Sequence, residues 1–234
     1  MLKKITAGLL MLSSVAAVAD EAGVRKAVQA VFPKIKVESV AKTPFPGLYE
    51  VFVDGQILYT NDNFSWFIAE GRLVDAKTRK ELTSARLEEL TKVDFGSLPL
   101  DQAIKVVRGN GSRKVAVFSD PDCPFCKKLE QKELLPLTDV TIYTFLFPLE
   151  SLHPDAANKS RAIWCATDRV KAWNDWVLNG QLAKGSANCE TPLEKNLTLG
   201  RRLGVTSTPT LIFEDGKRML GAYPGAEIEK ALKK

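Results

Sequence analysis

The chain has 234 residues, of which 45% are hydrophobic and 26% charged, as is typical of a soluble globular protein with one large domain or two smaller ones. Its net charge is +5, and the 33 basic side chains are interspersed with 28 acidic ones. So mild an excess of positive charge excludes an electrostatic nucleic-acid-binding surface, and no nucleic-acid partner is predicted.

The first twenty residues, MLKKITAGLLMLSSVAAVAD, have the pattern of a secretory signal peptide. Lys3 and Lys4 precede a short apolar stretch, and Ala17-Val18-Ala19 fits the small-x-small cleavage rule. A membrane anchor is the alternative, but a spanning helix needs about 20 strongly apolar residues, and this stretch is interrupted by polar ones. We therefore predict that residues 1–19 are removed and that the protein is exported to an oxidising compartment.

Residues 20–80 predict a small domain with one helix and a meander of strands. The helix is expected over residues 24–32 and the strands over 35–41, 48–55, 56–62 and 65–76. Asp54-Gly55 is a strong signal for a two-residue hairpin turn. A module of about 60 residues buries little surface alone, so we expect it to gain its core by pairing with a second copy.

Residues 81–100 predict a linker, because a largely polar helix over 82–92 is followed by the breakers Gly96 and Pro99. Residues 101–234 then alternate strands and helices, which predicts a central sheet covered by helices. Strands are expected at 103–107, 114–119 and 140–147, helices at 123–135 and 155–180, and a hairpin at 209–220 that turns at Asp215-Gly216. A capping box at 191–194 predicts a further helix as far as Gly204, and the last helix starts near Ala226.

The stretch VAVFSDPDCPFC joins a buried strand to a helix and carries a Cys-x-x-Cys motif. Asp122 is the expected N-cap and Pro124 suits the first turn, so Cys123 lies where free N–H groups and the helix dipole stabilise a thiolate. Its pKa is expected below the free-thiol value of about 8.5. Cys126 is one turn further in and more buried, which predicts an attacking and a resolving sulfur.

Two other uses of this motif are disfavoured. A zinc site needs four ligands, usually in two close pairs, and neither Cys165, Cys189 nor the single histidine, His153, supplies a second pair. A permanent bridge between Cys123 and Cys126 closes too small a loop to stabilise much. The motif therefore indicates a redox couple, with no metal or organic cofactor.

Cys165, expected inside a helix, and Cys189, expected in a loop, are the remaining cysteines. In an exported protein they are predicted to form a structural disulfide, and a second redox centre is the alternative. Pro209 precedes a buried strand, where it starts the strand without donating to the sheet. Because most X-Pro bonds are trans, the residues alone favour the trans isomer of the Thr208-Pro209 bond.

Together these features resemble the DsbC type of periplasmic protein disulfide isomerase, a thioredoxin-fold family. The resemblance covers nearly all of the mature chain and rests on the leader, the β-rich first module, the linker helix, the Cys-x-x-Cys, the segment KSRAIWCATD, the distant Cys189 and the Thr-Pro before a strand. It implies a two-domain mixed α and β fold: a cystatin-like N-terminal dimerisation domain over 20–80, a linker helix and connector over 81–100, and a thioredoxin fold over 101–234 with a helical insertion at about 150–190.

The resemblance also implies the roles of the site residues. Cys123 and Cys126 are the catalytic pair, Thr208 and a cis Pro209 face them and bind substrate, and Cys165–Cys189 is structural. The family often has Gly-Tyr between its active cysteines, whereas Pro124 and Phe125 here are closer to the sister DsbG branch. These two residues tune the thiolate and the redox poise.

The expected activity is rearrangement of wrong disulfides in unfolded or misoxidised exported proteins, with chaperone-like binding of unfolded chains. The resemblance implies a periplasmic homodimer that is reduced by a membrane thiol reductant of the DsbD type. Two alternatives are a DsbG-like reductase of sulfenylated single cysteines and a non-catalytic holdase.

Overall fold

A computed structural model describes residues 21–185 and 188–233 of the chain. The chain divides into two compact units, one ending at Gly71 and the other beginning at Arg72. The predicted signal peptide, residues 1–19, lies outside the described residues. Within the described part, no helix is both long and apolar enough to cross a membrane.

The first unit packs one helix on an antiparallel sheet whose strands follow chain order. Its elements are α1 (Glu21–Val31), β1 (Val37–Lys42), β2 (Tyr49–Val53), β3 (Gln56–Thr60) and β4 (Phe67–Ile68). Val24 and Val28 lie one helical turn apart on α1 and are buried against valines of β1 and β2. The hairpin predicted at Asp54-Gly55 is confirmed, since β2 and β3 pair across it from Val53–Gln56 outward.

The fourth predicted strand is mostly wrong. Only Phe67 and Ile68 pair with β3, because Glu70 adopts a left-handed conformation, with φ of 57°, and turns the chain away. β4 is thus a short edge strand, and Trp66, Phe67 and Ile68 are all exposed there.

The second unit starts with a solvent-exposed helix, as predicted, and continues into a five-stranded mixed sheet. Its elements are α2 (Leu82–Leu90), β5 (Ile104–Arg108), β6 (Arg113–Ser119), α3 (Pro124–Lys128), β7 (Val140–Leu146), α4 (Ala156–Trp164), α5 (Arg169–Asn179), α6 (Leu193–Arg202), β8 (Thr210–Phe213), β9 (Arg218–Leu220) and α7 (Gly225–Leu232). The strand order is β5-β7-β6-β8-β9, with β6 and β7 parallel and the other pairs antiparallel.

Strand β6 lies at the centre of this sheet and is buried on both faces. Val115 and Val117 face one core cluster, whereas Ala116 and Phe118 face the other, as the period of two along a strand requires. This explains the continuous apolar run in the sequence, which indicates a strand covered on both faces.

Two helix starts differ from prediction. The N-cap of α3 is Cys123 and not Asp122, because the Asp122 carboxylate accepts hydrogen bonds from Lys159 instead. The predicted capping box before α6 is also wrong. Pro192 occupies the N-cap and no side chain caps that helix, because Thr191 lies one residue too far from the first turn.

The single helix predicted over 155–180 is two helices. α4 ends at Trp164, and Cys165 is its C-cap rather than an interior residue. α5 begins after Asp168, whose carboxylate accepts a hydrogen bond of 2.9 Å from the N–H of Lys171. This N-cap restarts the helix, and the four-residue break leaves Cys165 at a helix end.

Behind α3 the helix continues as a π-helical segment, Leu129–Leu134, that buries Glu130. The Glu130 carboxylate accepts a hydrogen bond of 3.1 Å from Trp173 Nε1. Burial raises the pKa of Glu130 from its ordinary 4.5 to about 7, against the opposing effects of Trp173 and Arg108. The native state therefore holds this proton to a higher pH than the unfolded chain.

Glu130→Gln is expected to flatten the pH dependence of stability. Because the folded pKa is raised, its stabilising contribution is complete below about 4.5 and is lost as pH rises through about 7. Relative to wild type, the glutamine variant should gain about 3 kcal/mol in the free energy of unfolding between pH 4 and 8, at 1.36 kcal/mol per pKa unit. Urea unfolding of both proteins across this range tests it, and parallel profiles would show that Glu130 is ionised at no cost.

Candidate active site

The sheet topology brings the Cys-x-x-Cys motif and the Thr208-Pro209 segment together. β6 ends at Ser119, and the motif follows directly at its carboxyl end. β8 runs antiparallel to β6, with Phe118 opposite Thr210, so the residues that precede β8 lie beside the residues that follow β6. When protonated, the thiol of Cys123 donates a hydrogen bond of 3.4 Å to the Thr208 carbonyl oxygen, and the Thr208-Pro209 bond is cis.

The two cysteines are free thiols with different surroundings. Cys123 is the N-cap of α3, and its amide donates to the Asp120 carbonyl over 3.2 Å. Cys126 has no exposed surface, whereas Cys123 retains 4%. Pro124 occupies the first helical position, and Phe125 is 62% exposed at the surface beside the motif.

These surroundings move the two thiol pKa values in opposite directions. The pKa of Cys123 is lowered from 9.0 to about 5, and the hydrogen bond from the Cys126 thiol is the largest cause. Burial opposes this shift, whereas the Thr208 side chain and the N–H groups of Cys126 and Phe125 contribute to it. Burial in turn raises the pKa of Cys126 far above its usual range, with the bond to Cys123 adding to the effect. At neutral pH the pair therefore holds one thiolate, on Cys123, and one thiol, on Cys126.

Alkylation of the reduced protein should follow the Cys123 thiolate alone. Because its pKa is lowered to about 5, the rate is expected to be constant above pH 7 and to fall tenfold per unit below the midpoint. Cys126→Ala removes the largest stabilising hydrogen bond and should raise the midpoint, whereas Cys126→Ser keeps a donor and should change it less. A wild-type midpoint near 8.5, the free-thiol value, would contradict this assignment.

The three residues before Cys123 make contacts that the sequence pattern does not indicate. Asp120 is fully buried and its carboxylate lies 3.0 Å from Nδ1 of His153. Lys159 binds Asp122 over 2.7 Å, and Trp176 Nε1 donates to the Pro121 carbonyl oxygen over 2.7 Å. The only available signal is the Asp-Pro-Asp run before Cys123, because the three partners lie 30 or more positions away.

Cys165 and Cys189 form a disulfide that joins the end of α4 to the segment before α6. It closes a loop of 24 positions, for which chain entropy gives a stabilisation of about 3 kcal/mol.

Within residues 21–185 and 188–233, no three His, Cys, Asp or Glu side chains are arranged to hold a metal ion.

Comparison with known proteins matches both units. Residues 15–84 match the model of the disulfide bond isomerase protein N-terminal domain, and residues 100–234 match that of the thioredoxin-like domain. The two models confirm the predicted combination of an isomerase-type N-terminal domain with a thioredoxin fold.

Individual relatives agree. A probable thiol:disulfide interchange protein DsbC of Bordetella parapertussis is 45% identical over 201 residues, covering 86% of this chain and 70% of the relative. The thiol:disulfide interchange protein DsbC of Escherichia coli is 27% identical over 216 residues, covering 92% and 88%. The crystal structure of a disulfide interchange protein from Neisseria gonorrhoeae is 48% identical with a TM-score of 0.56, and covers 58% of this chain and 96% of that one. With these proteins, the chain belongs to the DsbC family of thiol:disulfide interchange proteins.

Proposed function

We propose that this protein is a periplasmic protein disulfide isomerase whose Cys123–Cys126 pair rearranges wrong disulfides in exported proteins. One observation carries the proposal: the Cys123 sulfur, with a pKa lowered to about 5, lies against Thr208 with the protonated Cys126 behind it. At neutral pH the Cys123 sulfur is then an ionised nucleophile, whereas the Cys126 sulfur stays protonated until the resolving step. Membership of the DsbC family favours isomerisation over the alternatives.

In the first step, the Cys123 thiolate attacks one sulfur of a substrate disulfide. An S–S bond forms between Cys123 and the substrate, the substrate S–S bond breaks, and a substrate thiolate leaves. The hydrogen bond from Cys126 that stabilises the Cys123 thiolate also makes Cys123 a good leaving group later.

The mixed disulfide then has two outcomes. The released substrate thiolate attacks another disulfide of the same substrate, and the thiolate so formed attacks the substrate sulfur of the mixed disulfide and ejects Cys123. This route isomerises without net oxidation. Alternatively, Cys126 loses its proton and attacks the Cys123 sulfur. The Cys123–Cys126 disulfide is then formed, and the substrate is released as a dithiol that has been reduced by two electrons.

Thr208 and Pro209 are proposed to bind substrate. The Thr208 backbone lies beside the Cys123 sulfur, where an extended substrate segment can pair with it. Phe125, exposed beside Cys123, offers an apolar contact to an unfolded chain. Pro124 and Phe125 are also proposed to tune the reduction potential.

The same proposal extends to partners and location. An enzyme molecule that ends a cycle with a Cys123–Cys126 disulfide must receive two electrons and two protons before it can act again. A membrane thiol reductant of the DsbD type is the proposed donor. We propose that residues 20–80 form a homodimer, that residues 81–100 connect them to the catalytic domain, and that the leader 1–19 directs the chain to the periplasm.

Refolding of a scrambled multi-disulfide protein tests the function. Reduced enzyme at catalytic amounts should restore the native disulfides and the activity of the substrate. A holdase would prevent aggregation without restoring disulfides. A reductase of single cysteines would repair sulfenic acids and leave the scrambled bridges in place. Either of these results in place of reactivation would refute the proposal.

A further inference from the structure

The turn formed by Asp120, Pro121 and Asp122, here called the 120–122 turn, connects β6 to Cys123. It fixes where α3 begins, because the Asp120 carbonyl oxygen accepts the hydrogen bond from the amide of Cys123. Each of its three residues is bound by one side chain from the segment 149–179, which contains the β7–α4 loop, α4 and α5.

The first contact is at Asp120, whose carboxylate has no exposed surface. It accepts hydrogen bonds of 2.7 Å from the amides of Asp122 and Leu149, and it lies 3.0 Å from Nδ1 of His153. A buried carboxylate requires such partners, because an unpaired charge is costly away from water. The Asp120 carboxylate therefore closes the turn through the amide of Asp122 and joins the turn to the loop that precedes α4.

The second contact is between backbone and indole. The Pro121 carbonyl oxygen accepts a hydrogen bond of 2.7 Å from Nε1 of Trp176 on α5. Proline has a fixed φ and no N–H, so its carbonyl is the only backbone group through which this residue can be held.

The third contact is ionic and partly buried. Lys159 of α4 places its ammonium 2.7 and 2.8 Å from the two Asp122 oxygens. The same ammonium lies 5.2 Å from the centre of the Trp176 ring, so the second and third contacts support each other. About a fifth of each charged side chain is exposed, which limits screening by water.

We propose that Trp176, Lys159 and His153 are positioning residues of thiol–disulfide exchange, which act through the 120–122 turn to hold Cys123 at the N-terminus of α3, next to the donors that stabilise its sulfur. The inference rests on the proposed function of the pair. It assigns a redox role to the helical segment 149–179, and that role is separate from packing.

The physical link is the position of the Cys123 sulfur relative to its donors. The Cys126 thiol, and to a smaller extent the N–H groups of Phe125 and Cys126, lower the pKa of Cys123 only while they lie close to its sulfur. If the turn moves, the sulfur and these donors lose alignment, and hydrogen bonds weaken steeply with angle. The thiolate is then less stable, and the reduced form of the pair loses stability relative to the disulfide.

Trp176→Phe is the sharpest test, because it keeps an aromatic ring and removes the N–H that binds Pro121. The expected result is a higher midpoint for Cys123 alkylation and a fall of about tenfold in the equilibrium constant for reduction by glutathione, equal to about 30 mV. Trp164→Phe is the matched control, since Trp164 packs against Arg169 and, within the described part of the chain, no hydrogen bond joins it to the turn. Its midpoint and equilibrium constant should equal those of wild type.

Three further variants test the contacts made by Lys159 and His153. Lys159→Met keeps the aliphatic stem and removes the ion pair, and it should raise the midpoint. His153→Leu should also raise it, whereas His153→Asn, whose amide replaces the Nδ1 donor, should restore the wild-type midpoint. Lys159→Met and His153→Leu decide the matter if Trp176→Phe does not fold.

Unchanged midpoints and equilibrium constants in these folded variants, with only a lower melting temperature, would overturn the proposal and leave the contacts structural. So would an equal shift in Trp164→Phe. These readouts need no protein substrate, so a wild-type protein that fails to isomerise would refute the proposed function without affecting this test.

Discussion

Cys123→Ser is expected to reduce isomerisation of a scrambled substrate to the uncatalysed rate, whereas Cys126→Ser should retain part of it. A serine hydroxyl is not ionised at neutral pH and forms no S–S bond, so without the Cys123 thiolate no mixed disulfide can form. Cys126 takes part only in the reductive outcome, and its raised pKa keeps it from replacing Cys123 as nucleophile. The measurement is the recovery of substrate activity with time, with each variant in catalytic amount.

The double variant Cys165→Ala/Cys189→Ala is the matched control, because it removes the two cysteine sulfurs that lie outside the motif. It should lose about 3 kcal/mol of stability, as the chain-entropy estimate for its loop gives, but should retain exchange below its melting temperature. Isomerisation by Cys123→Ser, or its complete loss in the folded double variant, would contradict the assignment of Cys123 as the nucleophile.

A chain that begins at Arg72 is expected to be monomeric, to keep simple dithiol reductase activity and to lose most isomerase activity. The cysteines and Thr208 all belong to the second unit, so the reductive step does not require the first. Isomerisation needs a large substrate to stay bound through repeated exchange, and the proposed dimer brings two Cys123 sites to one substrate. Light scattering and the refolding assay on both chains are the measurements.

A point variant of the full chain tests the dimerisation role of the first domain without truncating the protein. β4 is an edge strand with exposed Trp66, Phe67 and Ile68, an apolar surface suited to pairing with a second copy. Ile68→Lys should therefore weaken the dimer, whereas Val107→Lys, similarly exposed on the edge strand β5 of the second unit, should not. A monomeric wild-type chain, or a truncated chain that isomerises as well as the full one, would refute the role proposed for the first domain.

The order of the elements is largely readable from the sequence because local patterns encode it. Asp54-Gly55 and Asp215-Gly216 mark hairpins, and the continuous apolar runs of β6 and β7 mark strands buried on both faces. Helix ends are less readable, since they depend on which side chain reaches which amide. Asp122 has the residue type of an N-cap, but Lys159, distant in sequence, binds its carboxylate, and Cys123 takes that position.

The candidate site divides in the same way. The Cys-x-x-Cys and the Thr-Pro are short motifs, and the expected asymmetry of the sulfurs follows from their place on one helix. The contacts of Asp120, Trp176 and Glu130 join residues that lie 30 or more positions apart in the sequence. No periodicity or spacing in the sequence indicates these contacts. They arise only when α4 and α5 fold against the catalytic segment.

The central claim is that Cys123 forms the covalent bond to substrate, and trapping that bond tests it most directly. Reduced Cys126→Ser protein is mixed with a scrambled substrate, quenched with acid, alkylated and digested, and the linked peptides are identified by mass spectrometry. The mechanism predicts that every enzyme–substrate disulfide contains Cys123. Linkage through Cys165 or Cys189, or no linked peptide from a protein that still isomerises, would contradict it.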